Sequence, residues 1–268
     1  MSLIEAVILG LVEGITEFLP ISSTGHLILT RDLLGLHGDA VDRQLIIIQG
    51  AAILAVVWEF RKKLFSTAFT LHSSAVSRRF LLNLFIVSLP LGVLGLLFEH
   101  QIKAVLFNPL TVATALVVGG FIILWAERRK HEERVTDVDQ LTWLDALKLG
   151  LFQALALIPG TSRSGATIIG GLLSGLSRRT AAEFSFFAAL PALIAATLYE
   201  IYKARDEFAQ TDLTPLIVSC VVSFVSALLA TKFLLRYVSR HSFGAFAWYR
   251  IVFGAVILIT AFTGLVEW

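Results

Sequence analysis

The sequence predicts an all-α integral membrane protein, with six transmembrane helices and two re-entrant helical hairpins arranged as an inverted-topology repeat. Three observations carry this prediction: an apolar composition, six long apolar runs, and two apolar segments interrupted by polar residues. Of the 268 residues, 56% are hydrophobic and 16% are charged, against roughly 25% charged residues in soluble domains. A soluble domain of this length could not cover so much apolar surface, so the composition indicates burial in a membrane.

Six apolar runs are long enough to cross a bilayer, which takes about 20 helical residues. They cover roughly 43–60, 80–98, 106–126, 180–202, 214–235 and 244–266. The first apolar stretch of the chain is different, because it carries Glu5, Glu13 and Glu17 and lacks a basic leader. We therefore do not expect a signal peptide there.

Composition also argues against two other classes of protein. The net charge is +2, and no basic cluster with interleaved aromatic residues is present, so a nucleic-acid partner is not expected. The single cysteine, Cys220, excludes an intrachain disulfide.

Two further apolar segments, 3–36 and 143–176, are broken at their centres by "PISSTGH" and "PGTSRSG". Each half is about 15 residues or shorter, too short to cross a core of roughly 30 Å alone. Irregular backbone at membrane depth is tolerated only where it is buried in protein or faces water. Both segments are therefore predicted to be re-entrant helical hairpins.

The two broken segments resemble each other. Shifting 10–36 by 140 residues onto 150–176 leaves eight identical positions, among them Ser22 with Ser162 and Gly25 with Gly165. This similarity predicts an internal repeat.

We predict a single membrane domain, 1–268, built from two repeats. Repeat 1, approximately 1–126, holds the hairpin 3–36 and three spans. Repeat 2, approximately 143–268, holds the hairpin 143–176 and three spans. An odd number of spans inverts the second copy, and such repeats place a site near the bilayer midplane, where the hairpin tips meet.

Basic residues predict the orientation. Fifteen Lys and Arg fall in 61–79, in 127–148, after the second hairpin and around the last turn, against five on the other side. The positive-inside rule makes the first set cytoplasmic. The first hairpin then enters from outside and the second from the cytoplasm.

The first break, "EGITEFLPISSTGH", runs from Glu13 to His26. Charges at membrane depth cost about 2.5–3.5 kcal/mol each, so Glu13, Glu17 and Arg163 need partners, water or a ligand. Glu13 and Glu17 are four residues apart and share a helix face. They form a solvated carboxylate face, an acid–base pair, or the ligands of a hard cation such as Mg²⁺.

Ser22 and Ser23 are candidates for helix N-caps. Alternatively, Ser23 is a hydroxyl nucleophile, because His26 follows it within one helical turn and could serve as its base. A structural histidine is the other interpretation of His26.

The second break, "PGTSRSGAT", covers 159–167 and offers a complementary charge. Gly160 and Gly165 let backbone N–H groups approach a ligand at a helix N-terminus. The guanidinium of Arg163 is suited to phosphate oxygens, unless it only pairs with a glutamate of the first break. Further donors are Ser162, Ser164 and Thr167. Together the two breaks suggest phosphate-ester chemistry on a lipid. Arg250 and Glu183, also charged within apolar runs, are expected to make structural pairs.

At these two motifs the sequence resembles the bacterial undecaprenyl-diphosphate phosphatases of the bacitracin-resistance type. The resemblance covers essentially the whole chain and includes "IQGAAILAVV", "LVVGGFIILWAE" and "SRRTAAEFSFFAALP". One departure is Gln44-Leu45, where many members read Phe-Glu.

This resemblance implies a multi-pass enzyme of the bacterial plasma (inner) membrane, a homodimer whose site opens to the periplasmic side. It would hydrolyse undecaprenyl diphosphate to undecaprenyl phosphate and phosphate, recycling the cell-wall lipid carrier. A divalent cation, Mg²⁺ or Ca²⁺, is implied, with Glu13 and Glu17 as its ligands. Ser23 would attack and His26 would carry the proton, and Ser22 and Arg163 are the family's other functional positions here. The residues of the two breaks themselves predict a phosphate site in which Arg163 acts with Ser22, Ser162, Ser164, Gly165 and Thr167. The rival functions are a transporter or flippase of an anionic polyprenyl phosphate, because inverted repeats with broken helices also build transporters.

Overall fold

The structure, a computed structural model, describes residues 1–129, 132–205 and 212–264. These residues form helices and connecting turns, with no β-strand among them beyond one isolated bridge between Val135 and Leu176. The α-helices are α1 (Leu3–Thr16), α2 (Ser23–Leu33), α3 (Asp39–Glu59), α4 (Arg61–Phe69), α5 (Ala75–Leu106), α6 (Pro109–Arg128), α7 (Trp143–Ala154), α8 (Arg163–Leu173), α9 (Arg178–Lys203), α10 (Thr214–Val238) and α11 (Gly244–Thr263). Short 3₁₀ turns lie at Val138–Gln140 and Leu155–Leu157.

Six of these helices are long and apolar enough to cross a membrane, which confirms the six spans predicted from the sequence. They are Asp39–Glu59, Ala75–Phe98, Pro109–Arg128, Arg178–Lys203, Thr214–Val238 and Gly244–Thr263. By contrast, α1, α2, α7 and α8 have 14, 11, 12 and 11 residues, too few to cross alone. The chain is therefore a multi-pass helical membrane protein with two pairs of short helices.

The two pairs of short helices begin alike. The Ser2 hydroxyl accepts from the Glu5 amide while the Glu5 carboxylate accepts from the Ser2 amide, and Thr142 forms the same reciprocal box with Asp145. Each box satisfies amides at a helix start that would otherwise lack partners.

Asp145 has a further partner in Arg134, whose Nη2 donates to it. Burial raises the pKa of the Asp145 carboxyl, but hydrogen bonds from Arg134 and Thr142 outweigh this effect, so that the pKa lies below its ordinary value.

Both breaks also share an uncommon backbone conformation. Ser22 has φ 71° and Ser162 has φ 70°, and they are the two non-glycine residues with positive φ in the described part of the chain. Each lies immediately before its second short helix, α2 or α8. Residues held in sparsely populated backbone regions cost about 1–3 kcal/mol each and persist only when their surroundings fix them.

Small residues bring the short helices onto the spans. Helix α1 packs mainly on α10, and α7 mainly on α5. A Cβ added at Gly14 would lie 2.0 Å from the Ser226 Oγ, so α1 and α10 approach too closely for a side chain there. Helices α6 and α11 pack together around Gly120 and Gly254. A large core cluster rich in phenylalanine includes Phe18, Leu19 and Ile21 of the first break, and Phe18 lies edge-on to Phe186.

Candidate active site

The two breaks lie against each other. The Ser164 hydroxyl donates to the Leu19 carbonyl oxygen at 2.8 Å, and Arg163 Nη2 donates to Glu17 Oε1 at 3.2 Å. These residues are about 145 positions apart in the chain, so the meeting is a product of tertiary packing. The carboxylate of the first break and the guanidinium of the second therefore share one site.

Glu17 is the centre of this site. Its Oε2 accepts from the Ser23 Oγ at 2.5 Å, a length typical of a hydroxyl bound to a carboxylate. Its Oε1 accepts from Arg163, and both side chains are largely buried, with exposed fractions of 5% and 11%. The carboxylate thus holds one candidate nucleophile and one candidate phosphate ligand in fixed positions.

Arg163 is not saturated by this pair. Its Nη1 donates to the Ser185 carbonyl at 2.9 Å, while its buried Nε has no hydrogen-bond partner in the described residues. The alternative considered for Arg163, pairing with a glutamate, is therefore present, and a donor remains for another acceptor.

His26 makes different contacts from those expected. Its Nδ1 lies 2.8 Å from the Ser22 carbonyl oxygen and its Nε2 lies 2.6 Å from the Tyr249 hydroxyl. A carbonyl can only accept, so Nδ1 carries the proton of the neutral ring and Nε2 accepts from Tyr249. The ring stacks on Phe253, with centroids 3.9 Å apart. The histidine side chain is directed back along α2 to the carbonyl four residues earlier, and the Ser23 hydroxyl donates to Glu17 instead.

Glu13 is fully buried, one helical turn before Glu17. Neither of its carboxylate oxygens has a hydrogen-bond partner in the described residues. An ionised carboxylate in such a place is costly unless it is paired or binds a cation. The two carboxylates of Glu13 and Glu17 fit a divalent cation, because Mg²⁺ is usually held by one or two carboxylates together with phosphates and water. No cluster of three or more metal-ligating side chains was found among the described residues.

The predicted phosphate ligands at the starts of α2 and α8 differ in their hydrogen bonds and in whether they border the cavity. Ser162 accepts from the Gly165 amide at 3.1 Å and so caps α8, whereas Ser22 makes no capping bond at the start of α2. The Thr167 hydroxyl donates to the Arg163 carbonyl within α8 itself. Ser162 and Arg163 border the cavity described next, whereas Ser164, Gly165 and Thr167 do not line it.

A cavity of about 170 Å³ lies between the two breaks. Its polar lining comes from Glu17, Ser22, Ser23, Thr24, Gln49, Ser162 and Arg163. Leu91 and Leu193 form part of its apolar wall, and Leu91 also borders an apolar groove between α5 and α9. The cavity can hold an anionic group, and its apolar wall suits an attached hydrocarbon.

Sequence reasoning missed Gln49 and Tyr249. Gln49 is the lone amide in the apolar run "IIIQGAAIL", and Tyr249 precedes the intramembrane arginine in "WYRIVFG". A polar group in a span was the available signal in both cases. The structural pairs expected for Glu183 and Arg250 are confirmed: Glu183 pairs with Arg179, and Arg250 binds backbone carbonyls.

Six apolar helices around a buried carboxylate, hydroxyl and guanidinium define a multi-pass membrane protein with an internal site for an anionic group. Residues 6–256 match the profile of the family described as Bacitracin resistance protein BacA, and the chain belongs to that family. The resemblance seen in the two sequence motifs is thereby confirmed.

Relatives of nearly the same length carry one name. An undecaprenyl-diphosphatase of Dechloromonas aromatica is 58% identical over 266 residues, 99% of this chain and 97% of the relative. Undecaprenyl-diphosphatase 2 of Rhodospirillum rubrum is 59% identical over 272 residues, again 99% of this chain and 97% of the relative. An undecaprenyl-diphosphatase of Pseudomonas putida is 55% identical over 264 residues, 98% of this chain and 96% of the relative.

Proposed function

We propose that this protein is an undecaprenyl-diphosphate phosphatase. It removes the terminal phosphate of undecaprenyl diphosphate, releasing undecaprenyl phosphate and inorganic phosphate and recycling the lipid carrier of cell-wall synthesis. The observation that carries the proposal is the Glu17 carboxylate, which holds the Ser23 hydroxyl of one break and the Arg163 guanidinium of the other. The names and full-length similarity of the relatives support the substrate.

The proposed chemistry begins with attack of Ser23 Oγ on the terminal phosphorus. A bond forms between Oγ and phosphorus, and the bond from phosphorus to the bridging oxygen breaks, so that undecaprenyl phosphate leaves. Glu17 accepts the hydroxyl proton, because its Oε2 lies 2.5 Å from Oγ. Water then attacks the phosphoserine and phosphate leaves, while Ser23 regains a proton. His26, hydrogen-bonded to Tyr249, is the proposed proton carrier between the site and bulk water.

Arg163 is the proposed clamp on the phosphate oxygens, and it stabilises the charge on the transferring phosphoryl group. Its unpartnered Nε and its position on the cavity wall support this role. Ser22 and Ser162 border the same space. Ser164, Gly165 and Thr167 would contribute indirectly, by fixing the start of α8, because their donors bind acceptors within the protein. The partner in this site is a polyprenyl diphosphate, whose chain would leave past Leu91.

A divalent cation, Mg²⁺ or Ca²⁺, would be held by Glu13 and Glu17. When bound, it would neutralise phosphate charge and polarise a phosphoryl oxygen. The completely buried and unpartnered Glu13 carboxylate supports this proposal.

We also propose the finer architecture that the sequence predicted. In it, 3–36 and 143–176 are re-entrant hairpins, and 1–126 and 143–268 are inverted repeats. Features 140 positions apart support the repeat: the capping boxes at Ser2 and Thr142 and the positive-φ serines at 22 and 162. The proposed protein is a homodimer of the bacterial inner membrane, with its site open to the periplasm.

Purified protein in detergent tests the function. With polyprenyl diphosphate, a divalent cation and no membrane gradient, the wild type should release inorganic phosphate, and Ser23→Ala should not. Ser73→Ala, an exposed hydroxyl deletion in the loop after α4, is the matched control and should release phosphate normally. Absence of phosphate release by the wild type, with counterflow of labelled polyprenyl phosphate in vesicles, would replace the phosphatase by a transporter or flippase.

The cation proposal has a separate test. Chelation should abolish phosphate release and Mg²⁺ should restore it. Glu13→Gln should raise the Mg²⁺ concentration needed for half-maximal restoration and should weaken Mg²⁺-dependent thermal stabilisation. An unchanged Mg²⁺ dependence in Glu13→Gln would remove Glu13 from the cation site.

A further inference from the structure

Arg250 on α11 is buried, with 1% of its surface exposed. An arginine side chain has five N–H donors, and here each one meets a backbone carbonyl oxygen. The distances are 3.3 Å from Nε to Leu116, 3.2 and 2.9 Å from Nη1 to Pro20 and Thr161, and 3.1 and 3.1 Å from Nη2 to Ala115 and Gly160. The guanidinium therefore acts as a hub for backbone from three separate segments.

Two of these segments are the breaks that carry the site. Pro20 belongs to the first break, and Gly160 and Thr161 belong to the second. The acceptors lie one or two residues before Ser22 and Ser162, the two serines with positive φ. Such strained positions need their surroundings to hold them, and a buried guanidinium bonded just upstream of both serines can do so.

We infer that Arg250 is the positioning residue that holds the two breaks in register, so that the Glu17–Ser23 pair and Arg163 face one cavity. The inference rests on the proposed phosphatase function for its kinetic readout. Arg250 does not border the cavity and acts through the backbone of the breaks. Arg250 also has an electrostatic effect. Its positive guanidinium binds five carbonyl oxygens, and it thereby offsets their partial negative charge near a site for an anionic substrate.

The space for Arg250 is provided by a glycine on α6. A Cβ added at Gly119 would lie 2.1 Å from the Arg250 Nη2 and 2.8 Å from its Cζ. Gly119→Ala must therefore displace the guanidinium without changing Arg250 itself. Gly92→Ala is the matched control, because a Cβ at that helical glycine meets nothing within 4 Å.

If Arg250 only held the fold together, its substitution would give a different pattern of changes in Tm and kcat. Glu127 tests that role, since it accepts from Arg178 at 2.6 Å and from the Phe243 amide at 2.8 Å. It ties α6 to α9 and to the start of α11 but does not contact either break. Glu127→Gln should lower the Tm and leave kcat of the folded protein nearly unchanged.

The experiment compares steady-state kinetics of Arg250→Lys, Gly119→Ala, Gly92→Ala and Glu127→Gln, measured well below each Tm. Misplaced catalytic groups can cost about 100-fold in rate, so Arg250→Lys and Gly119→Ala should lose about that factor in kcat. Their KM should change much less, because the loss is in transition-state geometry. If Arg250→Lys keeps wild-type kcat, if Gly119→Ala matches Gly92→Ala, or if Glu127→Gln loses kcat equally, the inference is wrong.

Hydrogen–deuterium exchange gives a readout independent of turnover. In folded Arg250→Lys, amides of 17–24 and 158–165 should exchange faster than in the wild type, while those of α3 should not. Unchanged exchange in both breaks would overturn the positioning role. A wild type without phosphatase activity but with the expected exchange pattern would overturn only the proposed function.

Discussion

The contact between Ser23 and Glu17 makes a prediction that differs from the one made by the sequence. The sequence indicated His26 as the base for Ser23, whereas the structure places the Ser23 hydroxyl 2.5 Å from Glu17 Oε2 and binds His26 to Ser22 and Tyr249. If Glu17 is the base, Glu17 and Ser23 work as one unit. The losses caused by Glu17→Gln and Ser23→Ala should then be far from additive.

The expected loss in kcat follows from the contacts of Glu17 with Ser23 and Arg163. Proton transfer by a positioned carboxylate contributes about 10²–10⁴-fold. Glu17→Gln should therefore lower kcat about 10³-fold, equivalent to about 4 kcal/mol. The same change removes the partner of the largely buried Arg163, and breaking a buried pair can cost about 3–5 kcal/mol of stability. Turnover must therefore be measured well below the lowered Tm.

The assay is phosphate release from polyprenyl diphosphate by two double-mutant cycles. In the Glu17→Gln background, Ser23→Ala should lower kcat by no more than about threefold further. In the His26→Gln background, Ser23→Ala should still cause most of its normal loss. Glu5→Gln, which changes a half-buried carboxylate at the start of α1 away from the cavity lining, is the control and should keep wild-type kcat. Additive losses for Glu17 with Ser23, together with non-additive losses for His26 with Ser23, would restore the histidine as the base.

Three other predictions concern separate parts of the molecule. Arg163→Lys should insert normally but lose on the order of 100-fold in kcat/KM, about 3 kcal/mol, because lysine lacks the planar guanidinium with its paired N–H donors. Near-normal turnover would show that Arg163 serves only in the ion pair with Glu17. The pKa of Asp145 is lower in the folded protein than the pKa of about 3.9 in the unfolded chain, so the ionised carboxylate stabilises the fold above that pH, and the stabilisation is lost as the pH falls through the folded pKa. The Tm of the wild type should therefore fall more between about pH 5 and pH 3 than the Tm of Asp145→Asn. Equal decreases in Tm for the two proteins would contradict this prediction. In a protein whose Cys220 is replaced, a cysteine introduced at the exposed Ser73 should not react with an impermeant thiol reagent in intact cells, while a cysteine at the exposed Asp39 should react. Labelling at position 73 but not at position 39 would show that the predicted orientation is reversed.

The spans and the breaks were predictable because both depend on local composition. A run of about 20 apolar residues must be a helix in a membrane, where the backbone has no water to bind. Proline and glycine between short apolar halves indicate where such a helix ends. For the same reason Glu17 and Arg163 could be singled out, since charges inside apolar segments need compensation.

The partners of those residues were not predictable in the same way. The direction of the chain after Pro20 depends on the positive φ of Ser22, and serine gives no signal for that conformation. That turn decides whether Ser23 meets Glu17 or His26. Tyr249 is 223 positions from His26, and its contact depends on how α11 packs on the rest of the bundle. Only the three-dimensional packing supplies such information.

Charge balance at the site links the substrate to a cation. Glu13 and Glu17 contribute two carboxylates, and within the described part of the chain Arg163 is the one guanidinium on the cavity wall. Arg250 is nearby, but its five donors are bound to backbone carbonyls. A diphosphate entering this site would add negative charge to carboxylates that Arg163 alone does not neutralise, and uncompensated charge is costly in a buried place. The proposed divalent cation, held by Glu13 and Glu17, would lower that cost, and it would bind more tightly once phosphate oxygens were available as further ligands. We therefore expect substrate and cation to enhance each other's binding by the same factor, as thermodynamic linkage requires.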